Sequence, residues 1–127
     1  MHKEDYGVEL KRIRDAYFKV KAVKCPVLDD EYIYFDQQGF RHFLRKGKTI
    51  RPIEDQLRRF SLFKHAVPII TSDQSEISNI QIRRQMSFWA LTKDIDSDLS
   101  IKVILVKVNF GRLHFLSIMD HKNKNSA

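Results

Sequence analysis

Residues 101–108 read IKVILVKV, the most continuously apolar run in the chain, and they decide the architecture. Such a run suits a central strand buried on both faces. It is followed by Asn109-Phe110-Gly111-Arg112, a tight-turn signal, and Leu113 to Met119 return as the next strand. On the other side, Asp94 to Asp98 (DIDSD) reads as a hairpin loop. From about Ile80 the chain already looks like strand. Ile80 to Thr92 is long for a single strand, with Met86, Phe88 and Ala90 alternating against Ser87, Trp89 and Leu91. The expectation is an antiparallel sheet of about four strands over residues 80–119, with 101–108 at its centre.

Upstream the periodicity is helical. Asp36 is a good N-cap and Gly47 a good terminator, so 37–46 reads as a short helix. It puts Phe40, Phe43 and Leu44 on one side and His42, Arg45 and Lys46 on the other. Pro52 suits the first turn of a second helix running to about Ala66, with Ile53, Leu57, Phe60, Phe63 and Val67 as a core-facing stripe. Gln56 falls inside that stripe, either as a hydrogen-bonding hub or as a group at the edge of a site. Residues 4–22 form a third helix through Tyr6, Leu10, Ile13, Tyr17 and Val20, ended by Cys25-Pro26. Tyr32 to Phe35 is a short strand, and residues 68–79 are a polar connector. Helices followed by a meander make an α+β domain in which the helices cover one sheet face. Residues 1–127 form one domain, with a core over about 4–119 and a flexible tail at 120–127.

With 127 residues and 43% hydrophobic content, the chain is long enough for one core without disulfides or metal. Its single cysteine, Cys25, has no internal partner, and no Cys/His spacing suggests structural zinc. No apolar run approaches the roughly 18 residues of a membrane span, and the charged N-terminus lacks signal-peptide character. The expected location is the cytoplasm, or a target cytoplasm into which the protein is delivered, with no membrane partner.

The net charge is +7, and between Arg41 and Arg59 there are seven basic residues against two acidic ones, a local excess of five. Such a concentration is the footprint of a phosphate-bearing partner, and charge alone fits a solvated basic face equally well. No P-loop, dinucleotide fingerprint, HExxH or nucleophile elbow is present, and no cofactor or metal is expected. The remaining histidines, arginines, lysines and hydroxyls are the set needed for metal-free transesterification of RNA. His42 and His114 are the acid/base candidates. His114 and Ser117 differ by three, so a regular strand sends them to opposite faces. A bulge would bring both into one cleft; otherwise only one belongs to the site. Trp89 is either core or a base-stacking ring.

The segments YFDQQGFRHFLRKG and RPIEDQLRRFSLF, then a Phe-Trp strand, IKVILVKV and GRLHFLSI, resemble phage-associated nuclease domains of the barnase/EndoU/colicin/RelE-like superfamily over roughly residues 23–119. The resemblance implies a metal-independent endoribonuclease, often a toxin or an effector in phage–host conflict, with a cognate inhibitor or immunity protein as a further partner. It implies catalytic roles for His42, Lys46, Arg51, His114 and Ser117. Arg41, Arg45, Lys48, Arg58, Arg59 and Trp89 would then contact RNA, whether tRNA, rRNA or mRNA. A glutamate of the barnase type has no match here. The competing readings are a non-catalytic RNA- or DNA-binding module and an inactive protein-interaction domain.

Overall fold

The computed structural model describes residues 3–83, 85–109 and 111–122. Helix α1 (Lys3–Val20) leads to a hairpin of β1 (Ala22–Cys25) and β2 (Glu31–Tyr34). Helix α2 (Gln37–Leu44) follows, then a two-stranded hairpin of β3 (Arg45–Lys46) and β4 (Thr49–Ile50). Helix α3 (Ile53–Leu62), a 3-10 turn (Phe63–His65) and α4 (Ala66–Thr71) complete the helical part. The C-terminal half is β5 (Glu76–Arg83), β6 (Met86–Asp94), β7 (Leu99–Val108) and β8 (Leu113–Lys122). The result is α+β, and no described helix is long and apolar enough to cross a membrane.

The main sheet has six strands, not four, in the order β1-β2-β8-β7-β6-β5, and it is curled and mixed. Strands β5 to β8 form an antiparallel meander, one strand more than the segments read from sequence in that region, and β7 lies inside the sheet as anticipated. The other two strands are the β1–β2 hairpin, and β2 docks parallel to the start of β8 through Ile33↔Leu113 and Tyr34↔His114. Helix α1 ends before β1 because Lys21 takes a left-handed conformation (φ 65°), well short of Cys25-Pro26. Asp29 and Asp30 take the same conformation in the turn before β2, where aspartate tolerates it better than most residues. The long stretch 80–92 divides between β5 and β6, with Gln85 in the turn.

The helical expectations also shift. Helix α2 stops at Leu44, so Arg45 and Lys46 leave it for the β3–β4 hairpin, and Gly47 (φ 61°) turns that hairpin. Asp36 does cap α2, accepting from Gly39 N at 3.3 Å. The helix expected at 52–66 is broken by its 3-10 turn and resumes through Pro68 to Thr71. Pro68 stands in the first turn of α4, where its missing N–H has no intrahelical acceptor. Ile69 and Ile70, placed in a polar connector by sequence, are buried there. At the other end of the stripe, Ile53 is 43% exposed. Strand β8 continues through Asp120 and His121, which had been assigned to the tail; residues 123–127 lie outside the described region.

Tyr17 is the centre of the core, its ring packed among those of Phe35, Phe40, Phe43, Phe63 and Phe115, and its hydroxyl donates to Asp36 O at 2.6 Å. Ile101, Val103 and Leu105 of β7 and Leu113, Phe115 and Ile118 of β8 face the same cluster. Gln56, 3% exposed, is the hub: its Nε2 donates to Arg51 O at 2.8 Å, and its Oε1 accepts from the Tyr6 hydroxyl. Gln56→Leu removes both bonds and strands the Tyr6 hydroxyl and the Arg51 carbonyl. The expected loss is about 1–3 kcal/mol, read as a lower urea midpoint; an unchanged midpoint would refute the hub.

Candidate active site

Strand β8 carries one extra residue. Ile104 pairs with Ser117 and Leu105 with Phe115, so Leu116 is skipped and the side-chain alternation resets. Phe115 and Ile118, three apart, both enter the core, and His114 and Ser117, three apart, both lie on the outer face with Val106 and Ile104. The bulge is present and puts both side chains on one face, yet of the two only Ser117 lines the cleft described below.

Strand β2 covers the edge of β8 only as far as His114, and beyond it α2 and α3 close against that edge. Gly39 makes the approach of α2 possible, because a Cβ there would overlap the Phe115 carbonyl oxygen and the Tyr17 hydroxyl. From α3, Arg59 Nη1 donates to the Ile118 carbonyl and to Ser117 Oγ, both at 3.0 Å. The guanidinium thus satisfies a carbonyl that a neighbouring strand would otherwise take. Between the helices and the outer face lies a cleft of about 390 Å³. Its polar lining is His42, Lys46, Arg51, Arg59 and Ser117, and its apolar floor includes Ile104, Leu116 and Met119.

The cleft is cationic and its two guanidiniums are held in place. Arg51 is 9% and Arg59 15% exposed, and both pair with Asp55, at 3.2 and 3.4 Å. Arg51 Nε also donates to His42 O at 2.8 Å, which ties the guanidinium to the end of α2. Burial, then Arg51 and Arg59, push the His42 imidazole below its ordinary range. Burial and Arg51 lower Arg59 as well, but from so high a starting value that it stays protonated. One carboxylate against two guanidiniums and the Lys46 ammonium leaves an excess of positive charge, suited to a phosphate.

Compared with known proteins, the chain matches no family model, no curated protein and no solved structure.

Of the residues singled out by sequence, the cleft gathers His42, Lys46, Arg51, Arg59 and Ser117. His114 shares their face of the sheet but does not line the cleft. Its Nδ1 lies 2.6 Å from Asp36 Oδ2, an ion-pair distance, although that nitrogen makes no hydrogen bond of good geometry. Arg45 and Lys48 are exposed on the β3–β4 hairpin beside the cleft, and Arg41 is exposed on α2. Arg58 pairs with Asp120 at 2.5 Å on the far side of Arg59. Trp89 pairs in register with Leu105 and packs against the core, which leaves it no access to the cleft. Sequence reasoning missed Asp55, counted only as a charge; its i, i+4 spacing from both Arg51 and Arg59 was the available signal.

Proposed function

We propose that the chain is a metal-independent endoribonuclease of the barnase/EndoU/colicin/RelE-like kind. The observation that carries the reading is a half-buried imidazole whose charged form is disfavoured by burial and by two restrained guanidiniums, in a cleft with surplus positive charge. A neutral imidazole beside fixed cations is a base placed next to an anion site. His42 takes the proton of a ribose 2′-OH, and the 2′ oxygen attacks the adjacent phosphorus. Arg51 and Arg59 stabilise the added charge on the phosphoryl oxygens. The bond from phosphorus to the 5′ oxygen breaks, and that oxygen takes a proton from the Lys46 ammonium, leaving a 2′,3′-cyclic phosphate and a 5′-hydroxyl. Ser117, held by Arg59, presents a hydroxyl to the same phosphate. A role as a toxin or phage-conflict effector, restrained by a cognate inhibitor, belongs to this proposal and rests on the motif resemblance.

The test is incubation of the full chain with mixed RNA in EDTA. Cleavage products ending in 2′,3′-cyclic phosphate are expected, and abolition by the chelator would dismiss the metal-free route. A folded chain that binds RNA and leaves it intact would instead be a binding module. Binding itself should weaken with salt, with a log–log slope of about −0.7 per phosphate contact on a single strand; salt-insensitive binding would point away from nucleic acid.

A further inference from the structure

The outer sheet face next to the cleft carries a group of aromatic and basic side chains that the transesterification chemistry does not use. Register places Tyr32 and Tyr34 of β2, Lys24 of β1 and His114 of β8 on that face, and the alternation of side chains puts Arg112, two residues before His114, beside them. The Arg112 guanidinium lies over the Tyr34 ring, 4.6 Å from its centroid, and Lys24 Nζ lies 5.8 Å from that of Tyr32. The His114 ring sits with its centroid 6.4 Å from that of Tyr34, and its Nδ1 faces Asp36 Oδ2. Tyr32 is 49% exposed, and Lys24 and Arg112 are exposed as well. The nearby acid Glu31 turns to the opposite face, where it meets Lys107 at 3.3 Å.

We infer that this face is a base-stacking platform for single-stranded RNA, in which Tyr32 and Tyr34 supply ring surfaces and Lys24, Arg112 and His114 supply cations and hydrogen-bond donors. The inference rests on the reading of the chain as an RNA-cleaving protein and assigns the subsite for nucleotides beside the scissile phosphate. Rings interleaved with cations fit single-stranded nucleic acid, because every base has a π-face and every nucleotide a phosphate. A guanidinium plane already stacked on tyrosine extends the platform by one layer on which a base can rest. The distance also fits. The pairs Val106↔His114 and Ile104↔Ser117 are two residues apart along β7, a step of about 7 Å, so the platform adjoins the cleft along one strand. A chain held by its phosphate at Arg51 and Arg59 would lay its neighbouring bases across the Arg112 guanidinium that Tyr34 backs and then across Tyr32. An acidic protein would be drawn by the same charges, but it would not need the rings.

The experiment measures affinity of the full chain for a 2′-O-methyl oligoribonucleotide, which cannot undergo transesterification, and for an abasic oligonucleotide of equal length. Tyr32→Ala and Tyr34→Ala should each weaken binding of the base-containing strand about 5- to 150-fold, the range for loss of one stacked base. Tyr32→Phe and Tyr34→Phe keep the ring and should bind as wild type does. On the abasic strand all of these proteins should bind alike. Equal affinity of the alanine variants and wild type for the base-containing strand would overturn the platform, as would no binding by wild type or an equal loss on the abasic strand. Because no cleavage is read, the two proposals fail separately. Ring-dependent binding without turnover of ordinary RNA refutes only the ribonuclease, and turnover with ring-independent binding refutes only the platform.

Discussion

His42→Ala is expected to slow single-turnover cleavage of RNA by about 10²–10⁴-fold, the usual contribution of a positioned general acid or base. The fold should survive, because the side chain is only half-buried and the contact of Arg51 is to the His42 backbone carbonyl, which alanine retains. His114→Ala should behave differently. Its ring is outside the cleft, so binding is expected to weaken while the rate at saturating enzyme stays near wild type, a KM effect and not a kcat effect. The pH profile provides a second readout. Burial, Arg51 and Arg59 all disfavour the imidazolium, so the acid limb of kcat/KM should fall below the ordinary histidine value of about 6.5. Arg59→Gln removes one of those cations and should move the limb back up, besides lowering the rate. The stability linkage has the matching sign. The unfolded chain binds the His42 proton more readily, so this contribution is full above about pH 6.5 and is lost as pH falls below it. Wild-type rates in His42→Ala, or an acid limb above 6.5, would dismiss His42 as the base.

The last strands of the meander were legible because they announce their own period and turns, whereas β5 and its turn into β6 were not. IKVILVKV, DIDSD and the turn after Val108 depend on neighbours within ten residues, and β7 lies where its apolar content requires. What was not legible depends on contacts distant in sequence. The β1–β2 hairpin needs Lys21, Asp29 and Asp30 in left-handed conformations that no glycine advertised, and β2 finds its partner about eighty residues away in β8. The same holds in the cleft. Histidine chemistry marked His42, and motif resemblance marked Arg51 and Ser117, but the skipped Leu116 decides which face Ser117 occupies, and only the paired strand reveals it. Trp89 shows the reverse case, where a residue type suited to stacking bases packs against the core, the other alternative its sequence context offered. The rings proposed to stack bases, exposed Tyr32 and half-buried Tyr34, lay in a segment that sequence marked merely as strand.

Gly39→Ala should destabilise the protein and misplace the cleft together, although helix propensity alone forecasts the opposite. In a helix interior alanine is better than glycine by about 1 kcal/mol, and Gly39 lies within α2. Gly7, in α1 with nothing within 4 Å of its would-be Cβ, is the matched control and should gain stability on becoming alanine. At Gly39 the added methyl would overlap the Phe115 carbonyl oxygen and the Tyr17 hydroxyl, with Phe115 Cδ1 at 3.1 Å. None of these is the free end of a flexible side chain. The carbonyl belongs to β8, and the hydroxyl is bonded to Asp36 O at the centre of the aromatic cluster. Overpacking at such a site costs about 1–3 kcal/mol or more, which exceeds the propensity gain, so the urea midpoint should fall for Gly39→Ala and rise for Gly7→Ala. Relief of the clash requires α2 to back away from β8, and His42 lies one turn further along the same helix. Displacement of about 1 Å at a reacting group costs on the order of 10²-fold in rate, so the fraction of Gly39→Ala that stays folded should also cleave poorly. A Gly39→Ala protein as stable and as active as wild type would mean that α2 does not depend on this close approach to hold His42 over the sheet.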